Sequence, residues 1–281
     1  MKSRRAAWWR KSSATTQVIA SDELAVRGLE PRQLQIYLPP RYQARRARPY
    51  PLLFALDGQR MPEWKLAETM DALITAGEID PLIVAAVPSS AERVDEYGTA
   101  QGLDFAGRGR SAKGFQELLA GVALPWMREH FHVTREASGT GLFGASMGGL
   151  CAFDSAWRRP QIFGIAGIFS GSLWWRDDSA SVIAQQVSRI AHRSVREVAE
   201  KPALRLWFEA GTRDETDDRD NNGVIDAIQD TTELMDELAN KGFVRGRDMT
   251  YVQVEGGEHN EATWARVLPD FLRWALPPVT K

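Results

Sequence analysis

Apolar and polar positions along the chain fall into blocks that switch between a two-residue and a helical period. Residues 33–38 alternate, the mark of a half-exposed strand. Residues 51–56 and 82–87 are unbroken apolar runs, expected of strands buried on both faces. Between them 64–76 carries helical spacing, and 115–131 predicts a long amphipathic helix. A short buried strand over 139–143 leads into an apolar helix over 150–157, closed near Arg158-Arg159-Pro160. Farther on, 162–169, 204–210 and 249–254 read as strands, and 181–191, 231–241 and 261–276 as helices. Repeated alternation of this kind predicts an α/β fold, a mostly parallel central sheet with helices on both faces. Without a repeat, a low-complexity tract or a linker, the expected organisation is a flexible basic tail over 1–15 and a single domain over 16–281.

One junction in this pattern carries chemistry. Gly144-Ala145-Ser146-Met147-Gly148, followed by Gly149, lies between the strand over 139–143 and the helix after it. G-x-S-x-G between strand and helix is the elbow that strains a serine and exposes its hydroxyl. Gly144 and Gly148 take the crowded positions, where a β-carbon would clash. The same run in isolation would read as a glycine-rich turn.

A serine hydroxyl is a poor nucleophile until a base takes its proton and an acid orients that base. On such a sheet the chain order is Ser, then Asp or Glu, then His, each beyond a strand. His259, in Gly256-Gly257-Glu258-His259-Asn260, follows the strand over 249–254 and precedes a helix, where the base belongs. His130 and His132 precede the serine and read as helix-end or surface residues. His192, among Arg189, Arg193 and Arg196, reads as part of a solvated face. The expected acid is Asp214, just past the strand over 204–210. Glu209 within that strand, Glu215 and Asp217 stay open as alternatives. An oxyanion hole needs two backbone N–H groups: that of Met147, and one from the turn Leu56-Asp57-Gly58-Gln59, expected from Gln59. That turn also reads as an ordinary one.

Composition narrows the class. At 281 residues with 43% apolar residues and 26% charged, the chain can bury a sizeable core. A net charge of −2 provides no field to recruit nucleic acid or an acidic membrane. The single cysteine, Cys151, excludes an intrachain disulfide, fits a reducing compartment and reads as a small core residue. The basic N-terminus lacks the apolar stretch of a secretory signal, and no run has membrane-spanning length. The expected location is cytoplasmic.

These residues together resemble the esterase family of the α/β-hydrolases, which includes enterochelin esterases, S-formylglutathione hydrolases, feruloyl esterase domains and mycolyltransferases. The resemblance runs from about residue 33 to 276. It rests on Leu56-Asp57-Gly58, the elbow, Ser170-Gly171-Ser172-Leu173-Trp174-Trp175, Gly211-Thr212-Arg213-Asp214 and Gly256-Gly257-Glu258-His259. It implies the α/β-hydrolase fold, with Ser146 as nucleophile, His259 as base and Asp214 as acid. The reaction it implies is carboxylic ester hydrolysis through an acyl-enzyme, on a small-molecule ester such as a siderophore-type lactone or an aryl ester. No cofactor is required for that catalysis. The serine-glycine-serine stretch with its two tryptophans looks most like the enterochelin esterase subgroup. The roughly thirty residues ahead of the first strand are too few for the extra N-terminal domain of its cytosolic members. Formylglutathione hydrolases have a serine where this chain has Asp57. An acyltransferase of the same fold, or a silent calcium-dependent binding protein, would be the alternatives.

Two segments stand outside this pattern. Asp218, Asp220, Asn222, the Val224 carbonyl and Asp226 occupy the opening positions of a calcium loop around Gly223, with Gln229 in place of the final bidentate glutamate. They predict either a structural Ca2+ site or a solvated acidic turn. The polar connection over 93–113 leaves the carboxyl end of a strand, so it should border the site. Arg93, Glu96, Tyr97, Arg108 and Arg110 could then contact substrate, or belong to a surface insertion. Trp174 and Trp175 could wall the pocket, or belong to the core.

Overall fold

The apolar runs become the inner strands of one sheet. In the computed structural model, which describes residues 13–278, the strands are β1 (Gln17–Leu24), β2 (Arg32–Leu38), β3 (Leu52–Leu56), β4 (Ile83–Val87), β5 (Thr140–Ala145), β6 (Ile165–Phe169), β7 (Arg205–Arg213) and β8 (Met249–Glu258). Of the expected tail over 1–15, residues 1–12 lie outside the described part. Across the sheet the order is β1-β2-β4-β3-β5-β6-β7-β8; β1 and β2 run antiparallel to their neighbours, and every pairing from β4 onward is parallel. β3, β4, β5 and β6 are buried along their whole length, as their lack of alternation requires.

The helices are α1 (Leu66–Ala76), α2 (Arg93–Tyr97), α3 (Ala112–Glu117), α4 (Leu124–His130), α5 (Met147–Arg158), α6 (Val182–Val187), α7 (Ile190–Glu197), α8 (Asp226–Asn240) and α9 (Glu261–Ala275). A π-helical stretch, Leu118–Ala123, joins α3 to α4, so the expected long helix is one continuous run. Successive residues of β3 point to opposite faces. Leu52, Phe54 and Leu56 pack in the core with residues of α3, α4, α5, α7 and α8, whereas Leu53 and Ala55 pack with α1 and α9. Both faces of the sheet are therefore covered.

Four expectations change. β1 was not anticipated, because a register shift between Ala20 and Glu23 breaks its alternation. The single helix expected over 181–191 is two, α6 and α7, separated at Ser188 and Arg189. The connection over 93–113 is not structureless: it begins with α2 and ends in α3, and Glu96 inside it is buried against Arg32. His192 is 1% exposed rather than on a solvated face, its Nε2 2.9 Å from the Asp230 carbonyl oxygen. Among the described residues, no helix is long and apolar enough to cross a membrane.

Candidate active site

The sharpest backbone feature is at Ser146, between β5 and α5, with φ 58° and ψ −126°. A non-glycine residue at positive φ is strained, and here the strain follows from an immediate turn from strand to helix. Gly144 is crowded as the sequence predicts, since a β-carbon there would lie 2.9 Å from the Gly148 carbonyl carbon and 3.0 Å from Leu56 Cβ; one on Gly148 would come no closer than 3.2 Å, to Asp57 Oδ2, a tight fit rather than a clash. Ser146 Oγ is 3.4 Å from Ser172 Oγ, and the Ser172 amide donates to the Ser146 carbonyl at 3.0 Å. The stretch after β6 thus braces the elbow.

His259 occupies the two-residue link between β8 and α9, and Asn260 next to it caps α9 by accepting from the Thr263 amide at 3.0 Å. Asp214 is the first residue past β7. His259 Nδ1 stands 3.3 Å from Asp214 Oδ1; the Asp214 side chain is fully buried and that of His259 is 41% exposed. Asp214 Oδ1 also accepts from Ser170 Oγ at 3.0 Å, and Oδ2 from the Gly211 amide at 3.3 Å. The Trp264 ring meets the imidazole edge-to-face, centroids 5.3 Å apart. Of the alternative acids, Glu209 lies inside β7, fully buried, and burial together with Asp214 pushes its carboxyl up to about 8. Burial pushes Glu215 up to about 7, helped by Asp226, Asp217 and Asp230.

Ser146 and His259 line one open cleft of about 500 Å3, together with Gln59, Arg60, Trp64, Arg93 and Trp264 among others. Met147 is the first residue of α5, and Gln59 lies in the tight turn Gly58–Arg60. First-turn N–H groups have no intrahelical acceptor, which leaves both free for an anion. The Gln59 side chain is tied to Ser89, its Nε2 donating to Ser89 Oγ at 2.8 Å and its Oε1 accepting from the Ser89 amide at 3.0 Å. Arg93 reaches from α2 to grip Asp57 through two bonds, at 2.7 and 2.6 Å, and Arg60 pairs with Glu261 across the cleft mouth.

Other expected pocket residues lie elsewhere. Tyr97 is fully buried and its hydroxyl accepts from the Asp57 amide at 2.9 Å, so it supports the turn from beneath. Trp175 is fully buried, and Trp174 packs partly buried against the same core; neither lines the cleft. Arg108 pairs with Asp104 and lies over both tryptophan rings, and Arg110 is exposed outside the cleft. Ser170, Ser172 and Trp264 went unassigned from sequence. The first two lay within the quoted serine-glycine-serine stretch, but Trp264 carried no signal beyond its helix.

The calcium reading does not fit the loop geometry. Asp218 accepts from the Asn222 and Gly223 amides at 3.1 and 2.9 Å, and Asp220 from Gln229 Nε2 at 2.9 Å. Asn222 Oδ1 accepts from the Val224 amide at 2.8 Å. Asp226 Oδ1 holds Arg219 Nε at 3.1 Å, and the same guanidinium, 4% exposed, pairs with Asp230. The positive charge that this acidic segment needs comes from an arginine within the motif. Among the described residues, no group of three or more His, Cys, Asp or Glu is placed to hold a metal ion.

Comparison with known proteins agrees with this architecture. The sequence model described as "Putative esterase" matches residues 29–275. The chain is 25% identical over 158 residues to the uncharacterized protein YbbA of Bacillus subtilis, covering 54% of this chain and 61% of that protein. It is 28% identical over 136 residues to an endo-1,4-beta-xylanase/feruloyl esterase of Xylanibacter ruminicola, covering 46% of this chain and 18% of that one. The chain thus matches less than two thirds of the length of either relative. Among solved structures, a ferulic acid esterase superposes with a TM-score of 0.68 at 16% identity, covering 93% of this chain and 98% of that one. The enterobactin esterase of Shigella flexneri, solved in the presence of enterobactin, superposes with a TM-score of 0.69 at 20% identity, covering 95% and 60%. The fold is that of the α/β-hydrolases.

Proposed function

The chain belongs to the Putative esterase family, and we propose that it hydrolyses carboxylic esters with Ser146 as nucleophile, His259 as base and Asp214 as acid. The observation that carries this reading is the strained serine at the β5–α5 elbow in one cleft with a histidine whose Nδ1 faces a buried carboxylate.

His259 takes the Ser146 proton on Nε2 as the hydroxyl oxygen attacks the ester carbonyl carbon. Asp214 holds Nδ1–H, fixing the tautomer and stabilising the imidazolium. The Met147 and Gln59 N–H groups, at helix and turn starts, receive the oxyanion, usually the largest single catalytic contribution. Collapse of the tetrahedral intermediate expels the alcohol, which takes its proton from His259. Water then repeats the sequence on the acyl-enzyme and frees Ser146. The 3.3 Å separation of His259 and Asp214 should shorten when substrate binds.

The cleft, lined by Trp64 and Trp264 and carrying Arg60 and Arg93, suits a small ester with an aryl acyl or alcohol part. The siderophore-type lactone remains within that class. Family catalysis needs no cofactor. The lone cysteine, buried and free, supports a reducing, cytoplasmic setting. The test is hydrolysis of a short activated aryl ester by wild type and Ser146→Ala. A loss of at least about 10³-fold with an unchanged melt is expected, and retention of a tenth of the activity would remove Ser146 from the mechanism.

A further inference from the structure

The mechanism leaves one buried acid beside the triad without a task. Glu209, 0% exposed in β7, pairs in register with Phe169 of β6, and its carbonyl accepts from the Ser170 amide at 2.8 Å. This brings its carboxyl to the Ser170 hydroxyl. Ser170 Oγ is 3.0 Å from Asp214 Oδ1, 3.3 Å from Glu209 Oε2 and 2.9 Å from Trp264 Nε1.

Counting protons assigns the state of this cluster. Trp264 Nε1–H can only donate, so it fills one lone pair of the Ser170 oxygen. The hydroxyl has a single proton, and two carboxyl groups face it. With both ionised, the single Ser170 proton would serve only one of the two carboxylates, and Glu209 Oε1 has no hydrogen-bond partner among the described residues. A proton on Glu209 Oε2 resolves the count. It donates to the second lone pair of Ser170, and the Ser170 proton is left for Asp214. Ser170 also stands at φ 44°, a left-handed conformation that glycine adopts more easily, so its hydroxyl is held there against backbone preference.

We propose that Glu209 is a positioning residue, a neutral acid that donates through Ser170 to Asp214 and keeps that carboxylate aimed at His259. The inference rests on Asp214 being the triad acid. Burial and the Asp214 charge push the Glu209 carboxyl up to about 8, in agreement with the proton count. The groups facing it are Asp214 past β7, Tyr251 on β8 and Arg266 on α9. Arg266 favours the ionised form. Tyr251 stays neutral, because burial and the two carboxyl groups raise it. Above about pH 8 Glu209 becomes a second anion, Ser170 can turn to either carboxylate, and Asp214 loses a fixed donor.

The experiment is the pH profile of kcat for wild type, Glu209→Gln and Glu209→Leu, beside the infrared difference spectrum between acid and alkaline pH. Wild-type kcat should fall severalfold with a midpoint at about pH 8. The Gln variant, whose amide N–H donates to Ser170 at every pH, should match wild type at neutral pH and show no such fall. The Leu variant should lose about tenfold in kcat at all pH with little change in KM, since only orientation is lost. The infrared spectrum should show a buried carboxylic-acid band that disappears on the alkaline side and is missing from Glu209→Gln. An alkaline fall that persists in Glu209→Gln, or a wild-type spectrum without that acid band, would overturn the proposal. The infrared band reads the proton whether or not the protein turns over ester. A band present while Asp214→Asn is fully active would overturn the triad acid instead, and the positioning role with it.

Discussion

Replacing Gly58 with alanine should slow ester hydrolysis while leaving the protein folded. An added β-carbon would lie 2.6 Å from the Ala86 carbonyl carbon, 2.7 Å from the Val87 nitrogen and 2.9 Å from the Ala86 oxygen. All three are backbone atoms of β4, an inner strand that cannot yield. Ordinary contact begins near 3.4 Å, so the Gly58–Arg60 turn must retreat by about 0.8 Å (3.4 minus 2.6). Gln59, next in that turn, moves with it, and its N–H leaves the position proposed for the oxyanion. Complete loss of such a donor costs about 10²–10³ in kcat, so a partial displacement should cost about ten- to a hundredfold, with KM little changed. Overpacking itself should cost about 1–3 kcal/mol, a few degrees of melting temperature. The assay is steady-state hydrolysis of an aryl ester with a thermal melt, using Gly114→Ala as control. A β-carbon there meets only Leu29 side-chain atoms at 3.7–3.9 Å inside α3, so that variant should melt slightly higher and keep full activity. A Gly58→Ala protein within twofold of wild-type kcat would refute the placement of Gln59 at the oxyanion.

Asp214→Asn should retain the fold and lower kcat by about 10⁴-fold through the wrong histidine tautomer; near-normal activity in that variant, with Glu215→Gln dead, would transfer the acid to Glu215. Arg219→Leu strips Asp226 and Asp230 of a buried counter-charge and should destabilise by about 3 kcal/mol in a denaturant melt. Chelator should leave the wild-type melt unchanged, and a drop restored by calcium would show that the loop takes a cation after all.

The inner strands and the elbow were legible because both follow from short-range patterns. Apolar runs of five or six residues are too short for a helix and fit strands covered on two sides, and G-x-S-x-G between strand and helix leaves little other geometry for Ser146. His259 was legible for a similar reason, since the end of β8 and the start of α9 bracket it. Features set by distant partners were not. Tyr97 and Trp175 look like pocket walls until the fold buries them, and α2 ties Arg93 to Asp57 across 36 positions of sequence. The acidic stretch after Asp214 matched a metal loop in its oxygen spacing alone, which could not reveal that Arg219 turns inward among those same acids. Ser170 and Glu209 meet Asp214 only because β6 and β7 are neighbours in the sheet.

The central claim is that Ser146 is the activated nucleophile, and covalent trapping tests it most directly. Folded protein is treated with a fluorophosphonate probe, digested, and the adduct located by mass spectrometry. One probe per chain is expected, on the Ser146 hydroxyl within Gly144-Ala145-Ser146-Met147-Gly148, with no labelling of Ser146→Ala. An adduct on Ser170 or Ser172, or an unlabelled wild type, would contradict the account.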